Sequence, residues 1–195
     1  MDFHPKGALV RVVLIGDSAV GKTSIINRLV NNTFNSKETT TIGATFLLFS
    51  QRTETDAEIE LQIWDTAGQE KFRSLGPIYY RDSSACVAVF DLTSRKSFED
   101  LNYWISTFKS IAGNDTVVAV AGNKCDMDGA AVSIEEASEY CRKNGYIFFP
   151  TSAKSGENVN ELFKKLSGEL VRYSKKLAVE VMDPPQEQNQ RKKCC

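Results

Sequence analysis

Ala8-Leu9-Val10-Arg11-Val12-Val13-Leu14-Ile15 runs directly into Gly16-Asp17-Ser18-Ala19-Val20-Gly21-Lys22-Thr23, and this junction decides the fold. The first octet is apolar but for Arg11, as expected of a parallel strand buried on both faces. The second fits G-x-x-x-x-G-K-[ST], the phosphate-binding loop that joins such a strand to a helix. Its glycines let the backbone curl until successive N–H groups point at phosphate oxygens. Lys22 brings positive charge to the β and γ oxygens, and the Thr23 hydroxyl can ligate Mg²⁺. A helix over 23–31 then sets its positive N-terminal end, with Ser24 next to Thr23, beneath the phosphates. Reading the segment as a glycine turn with an incidental lysine would leave both the eight-residue match and its strand-to-helix setting to chance. The expected ligand is a nucleoside triphosphate.

Outward from the junction, strand and helix patterns alternate, which predicts a doubly wound α/β domain. Strands are expected at 8–15, 46–49, 59–63, 85–90, 117–121 and 146–149, and helical periodicity at 23–31, 98–111, 134–144 and 159–173. Only the polar turn 51–56 separates the second strand from the third, so these two form an antiparallel hairpin. The expectation is a six-stranded, mostly parallel sheet with one antiparallel strand and about five helices on its two faces. The Thr- and Asn-rich stretch 32–41 reads as a mobile loop. From 178 onward the chain is polar and contains Pro184 and Pro185 without periodicity, so the domain is expected over 1–177 and a disordered tail over 178–195. No internal repeat is present.

The 195 residues carry 24 Lys and Arg against 25 Asp and Glu. Without a basic field, nucleic acid is excluded as the expected partner. Residues 1–7 lack the apolar core of a signal peptide and no apolar run reaches membrane-spanning length, so a cytosolic start is expected. Cys86, Cys125 and Cys141 show no metal-ligand spacing and read as reduced thiols.

A phosphate loop does not by itself separate ATPases, kinases and GTPases. Three further segments, each at the carboxyl end of an expected strand, make the distinction. In Asp65-Thr66-Ala67-Gly68-Gln69-Glu70 the acid can hold the Mg²⁺ shell, Gly68 offers a bare N–H to the γ-phosphate and Gln69 can orient water. In Asn123-Lys124-Cys125-Asp126 the carboxylate can accept from the N1–H and the exocyclic amine of guanine. Adenine would leave it without a partner. In Thr151-Ser152-Ala153-Lys154 the backbone can meet the guanine O6. Taken singly, Asp65 could be a loop carboxylate and Asp126 a helix cap. Four segments in this order select GTP and GDP. A P-loop kinase stays as a competitor, weakened by Asp126, and so does a nucleotide-dependent binding module with vestigial hydrolysis, against which Gln69 and the intact segment 65–68 speak.

At these residues the chain resembles the small GTPases of the Ras superfamily, and specifically the Rab family, over about 8–173. The likeness lies in Ile42-Gly43-Ala44-Thr45-Phe46, Leu61-Gln62-Ile63-Trp64-Asp65-Thr66, Lys71-Phe72-Arg73-Ser74-Leu75, Tyr79-Tyr80-Arg81 and Phe90-Asp91-Leu92-Thr93 with Ser97-Phe98. Pro77 before Ile78-Tyr79-Tyr80, the Thr41-Ile42-Gly43-Ala44 start of the second strand and Asn123-Lys124-Cys125-Asp126 are most similar to the early-endosomal branch; a Rab of another trafficking step is the alternative. Asp82, Asn114-Asp115 and Asp128-Gly129-Ala130-Ala131 depart from the family pattern, in places that bear on partners more than on nucleotide.

The resemblance implies a G domain of the P-loop NTPase class and a GTP/GDP switch of vesicular traffic. It assigns Thr41 to the γ-phosphate and, with Thr23 and Asp65, to Mg²⁺. It sets Phe34 against the guanine, gives Gln69 the hydrolytic water, and makes Ile42, Phe46, Trp64 and Tyr79 effector-facing. Gly16 to Ser24, Gly68, Asn123, Lys124, Asp126 and Ser152 to Lys154 complete the nucleotide site. Hydrolysis is expected to be slow without a GTPase-activating protein. The implied partners further include an exchange factor, effectors, an escort protein and a GDP-dissociation inhibitor, acting on a monomer. Lys192-Lys193-Cys194-Cys195 does not fit C-a-a-X but is similar to the double-cysteine ending that receives two prenyl groups, which would place the protein on the cytoplasmic face of intracellular, endosomal membranes and let it cycle with the cytosol.

Overall fold

A computed structural model describes residues 9–53, 57–67 and 76–182. Six strands, β1 (Leu9–Ile15), β2 (Ala44–Arg52), β3 (Glu58–Thr66), β4 (Ala85–Asp91), β5 (Val117–Asn123) and β6 (Ile147–Pro150), form one sheet in the order β2-β3-β1-β4-β5-β6. The β2–β3 pair is antiparallel, with Phe46 opposite Trp64, and every other pairing is parallel. The helices are α1 (Lys22–Asn31), α2 (Gly76–Tyr80), α3 (Arg95–Glu99), α4 (Leu101–Ala112), α5 (Ile134–Asn144) and α6 (Val159–Met182). Asp100 between α3 and α4 is itself helical in conformation, so the two read as one stretch and five helical stretches are described, as expected.

Strand period explains the core. Along β1, Val12 and Leu14 enter one apolar layer, with Ile25, Ile26, Phe163 and Leu166 of α1 and α6. Val13 and Ile15 enter the other, with Trp104, Phe108 and Cys141 of α4 and α5. All seven residues of β4 are buried, the condition for a central parallel strand. Cys86 and Cys141 lie free in this core and Cys125 is partly covered.

Several boundaries differ from the sequence expectation, among them β2 and β3, which run beyond 46–49 and 59–63. The helix expected to begin at 98 begins at Arg95, because the Ser94 side chain accepts from the Ser97 N–H and caps it. The fifth helix, α2, was not located in the sequence, since five residues are too few to show a helical period. α6 continues to Met182, five residues into the segment expected to be tail. Leu177, Ala178, Val179, Glu180 and Val181 include no helix breaker, and the first, Pro184, disfavours helix at the residue before it. The rest of the expected tail lies outside the described residues. Among the described residues no helix is long and apolar enough to cross a membrane.

Candidate nucleotide site

The loops leaving β1, β5 and β6 meet at the carboxyl edge of the sheet, around a cleft of about 300 Å³ lined by Lys22, Thr23, Phe34, Thr41, Asp126 and Lys154 among others. The sheet turns one way from β1 to β3 and the other way from β4 to β5 and β6, and open α/β sheets bind ligands at such a switch. The loop after β1 has left-handed backbone at Ala19 (φ 62°) and positive φ at Gly16 (136°) and Gly21 (99°). At both glycines a side chain would also collide, with the Val89 carbonyl at Gly16 and with the Asn123 amide at Gly21. Lys22 is buried and folds back on its own loop, donating to the carbonyl oxygens of Gly16 (2.8 Å) and Asp17 (2.6 Å). Burial, only partly opposed by Asp65 and Asp17, brings its pKa down to about 8.

Thr23, Thr41 and Asp65 converge. The Thr23 hydroxyl donates to Asp65 Oδ2 (2.7 Å) and lies 2.8 Å from the Thr41 hydroxyl, which itself reaches Asp65 Oδ2 at 3.3 Å. Asp65 is 2% exposed, and its Oδ1 has no hydrogen-bond partner among the described residues. Burial raises its pKa against the opposing pull of Thr23, Lys22 and Thr41. An unsatisfied carboxylate oxygen inside a protein is costly. One carboxylate and two hydroxyls suit Mg²⁺, a hard cation that takes few protein ligands and keeps several waters, so these residues fit the ion.

On the other side of the cleft, Asn123 is a brace: its amide donates to Val20 O (2.8 Å) and its Oδ1 accepts from Ala153 N–H (3.1 Å). Asp126 accepts from the Ser152 hydroxyl (2.6 Å) and stands 3.8 Å from the exposed Lys154 ammonium. Lys124, at φ 66°, pairs with Asp91 at 2.6 Å. Burial works against the Asp91 charge, yet hydrogen bonds from Lys124 and Thr93 outweigh it and hold the carboxyl below its ordinary range.

The aromatic expectation for the sheet face also meets in space. Phe46, Trp64 and Tyr79 form a row of tilted rings, with centroids 5.1 and 5.4 Å apart, while Ile42, just before β2, is 82% exposed. Trp64 donates to Gln62 and lies under Arg11. Gly68 and Gln69 lie outside the described residues, as do Cys194 and Cys195.

Several groups of the site were invisible in the sequence. Trp104 on α4 donates to the Asp17 carboxylate (2.9 Å), and Asp91 orients Lys124. Arg28 on α1 donates to the loop after β6. Each joins residues far apart in the chain, so no local pattern could mark it.

Comparison with known proteins follows the same lines. The model of the Ras family matches residues 11–172. A Ras-related Rab-5B of Dictyostelium discoideum is 44% identical over 162 residues, covering 83% of this chain and 75% of its own. The GTP-binding protein ypt5 of Schizosaccharomyces pombe is 41% identical over 82% of this chain and 77% of its own. The human Ras-related protein Rab-21 is 40% identical over 83% and 72%.

Proposed function

The chain belongs to the Ras family, as a Rab-type small GTPase of vesicular traffic, and from that premise we propose how its residues bind, hold and hydrolyse GTP. One observation carries the reading: the phosphate loop, Thr23 and Thr41, Asn123, Lys124 and Asp126, and Ala153 and Lys154 all line one cleft, with Asp65 bonded to the two threonines and Ser152 to Asp126. The backbone N–H groups from Gly16 to Ser24 and the Lys22 ammonium take the phosphates, Lys22 exchanging its loop carbonyls for phosphate oxygens. Thr23, Thr41 and Asp65 are the residues that would hold Mg²⁺. When bound, that ion would supply positive charge against the negative charge that develops on the phosphates.

Asp126, set by Ser152, accepts from the guanine edge; Ala153 meets O6, Lys124 covers the base plane and Phe34 closes the side. Thr41 and Gly68 follow the γ-phosphate, so its loss releases the two loops that carry them. Ile42, Phe46, Trp64 and Tyr79 present that change to effectors. Gln69 orients the attacking water, and a GTPase-activating protein supplies the missing positive charge. An exchange factor reloads the site, and escort and GDP-dissociation-inhibitor proteins cover prenyl groups on Cys194 and Cys195. The early-endosomal assignment, on the cytoplasmic membrane face, is supported by Thr41-Ile42-Gly43-Ala44 and Pro77-Ile78-Tyr79-Tyr80 and by the Rab-5, ypt5 and Rab-21 likeness.

Single-turnover hydrolysis tests the chemistry. Gln69→Leu is expected to slow it at least about tenfold, or about 1.4 kcal/mol of transition-state stabilisation, with GTP affinity unchanged, because the glutamine acts on water and not on ground-state binding. A normal turnover rate would assign that water to another group.

A further inference from the structure

We propose that Arg28 is the positioning residue of the guanine half of the cleft, holding the loop after β6 and the exit of α1 in one fixed register. The proposal rests on the reading of Asp126 and Ser152–Lys154 as the base site. Arg28 stands six positions after Lys22, roughly 9 Å along the helix from the phosphate end. Its guanidinium joins the loop after β6 to the exit of α1. Nε donates to Ala153 O (2.9 Å) and Nη2 to Lys154 O (2.7 Å), while Nη1 donates to Asn32 O (3.0 Å) and Asn32 Oδ1 (2.9 Å).

The local geometry is built around this side chain. Gly156 sits at φ +90°, and a Cβ there would already stand 3.4 Å from Arg28 Cδ. Asn32 closes α1 in left-handed conformation (φ 52°), its N–H returning to Arg28 O, and Phe34 follows two residues later. The Ala153 residue is thereby gripped at both ends, its N–H by Asn123 and its carbonyl by Arg28. Ser152, next in the same loop, carries the Asp126 carboxylate. Releasing Arg28 frees the support of Asp126 on one side and the root of the Phe34 segment on the other. It leaves Thr23, Thr41 and Asp65 at the opposite end of α1 in place. A planar fork of five donors can serve four acceptors at once; an ammonium cannot span them.

The test is release of fluorescent GDP from wild type, Arg28→Gln and Arg28→Lys, with Mg²⁺ and with EDTA, together with competition between GDP and IDP, which lacks the exocyclic amine. Arg28→Gln should accelerate release about tenfold, the factor that corresponds to about 1.4 kcal/mol. It should also shrink the preference for GDP over IDP and leave the fold-acceleration by EDTA as in wild type, with Arg28→Lys intermediate. Unchanged release, equal loss of GDP and IDP, or a collapsed EDTA effect would overturn the proposal, the last two because they mark general damage to α1. Asp126→Asn separates the premise from the inference. If it keeps the wild-type preference for GDP over IDP, the base-site reading fails. If it loses that preference while Arg28→Gln retains it, only the role of Arg28 fails.

Discussion

Lys22 is held in a costly state before any phosphate arrives. Its ammonium is buried against two backbone carbonyls, and burial brings its pKa down to about 8. Phosphate oxygens placed beside it favour the charged form, so its pKa rises on binding. The sign follows from linkage: where the empty site has lost the proton and the filled site retains it, binding takes a proton up, and affinity falls as pH rises above about 8. Calorimetric titration of the nucleotide-free protein with GDP, in buffers of different ionisation enthalpy, should show this uptake above that pH and lose it well below. Asp65 is the complementary case, a carboxylate whose buried Oδ1 has no partner among the described residues and which the proposed cation would satisfy. The two residues share the first turn of α1 and the end of β3, so charge balance in the cleft is set locally, ligand included.

Elements hold these residues by their ends. α1 is anchored by the phosphate loop at Gly21 and by a left-handed Asn32 at its exit, and the ladder from Val12 to Ile15 keeps its start level with β4. α5 shows how sequence-local such anchoring is. Ser133 accepts from the Glu136 N–H at 3.1 Å, Glu135 and Glu136 fill the first turn, Arg142 and Lys143 the last, and Gly145 closes it at φ 69°. The acidic first turn and the basic last turn complement the helix dipole, and Ser133 and Gly145 cap its two ends. Ser133→Ala should cost about 1 kcal/mol, seen as a drop in melting temperature of about 2–4 °C for a domain of this size, with nucleotide affinity unchanged because α5 does not line the cleft. The ion pair of Glu136 with Arg95 at 2.6 Å is solvent-exposed and adds little to that cost.

For the molecule as a whole, the proposed membrane anchor is the C-terminal cysteine pair, since among the described residues no helix is long and apolar enough to cross a membrane. Replacing both Cys194 and Cys195 by Ser should leave folding and GTP binding intact and move the protein to the soluble fraction. A single replacement should weaken anchoring. Each buried methylene is worth about 0.8 kcal/mol, whereas Arg191, Lys192 and Lys193 contribute roughly 1 kcal/mol apiece near anionic lipid, too little to retain the domain. Fractionation and mass spectrometry of protein from its own cells check this; an unmodified terminus on membrane-bound protein would refute double prenylation.

The sequence by itself determined the phosphate loop, the order of strands and helices and the choice of guanine, because each depends on a few consecutive residues whose backbone conformation and spacing are local properties. The strand at Leu9–Ile15 and the helix at Ile134–Asn144 were legible to within a residue for the same reason. Short or capped features, such as α2 and the start of α3, were not, since a helical period needs more than one turn to show. What only the tertiary structure decided is which distant groups meet: Asn123 with Val20 across 103 positions, Trp104 with Asp17 across 87, Arg28 with Ala153 across 125. Those meetings follow from sheet order and side-chain direction, which neither composition nor periodicity encodes. Asp65 is the clearest instance. A carboxylate after a strand could be read from the chain, but its burial, its shared contact with Thr23 and Thr41 and its one unsatisfied oxygen exist only once β3 lies beside β1.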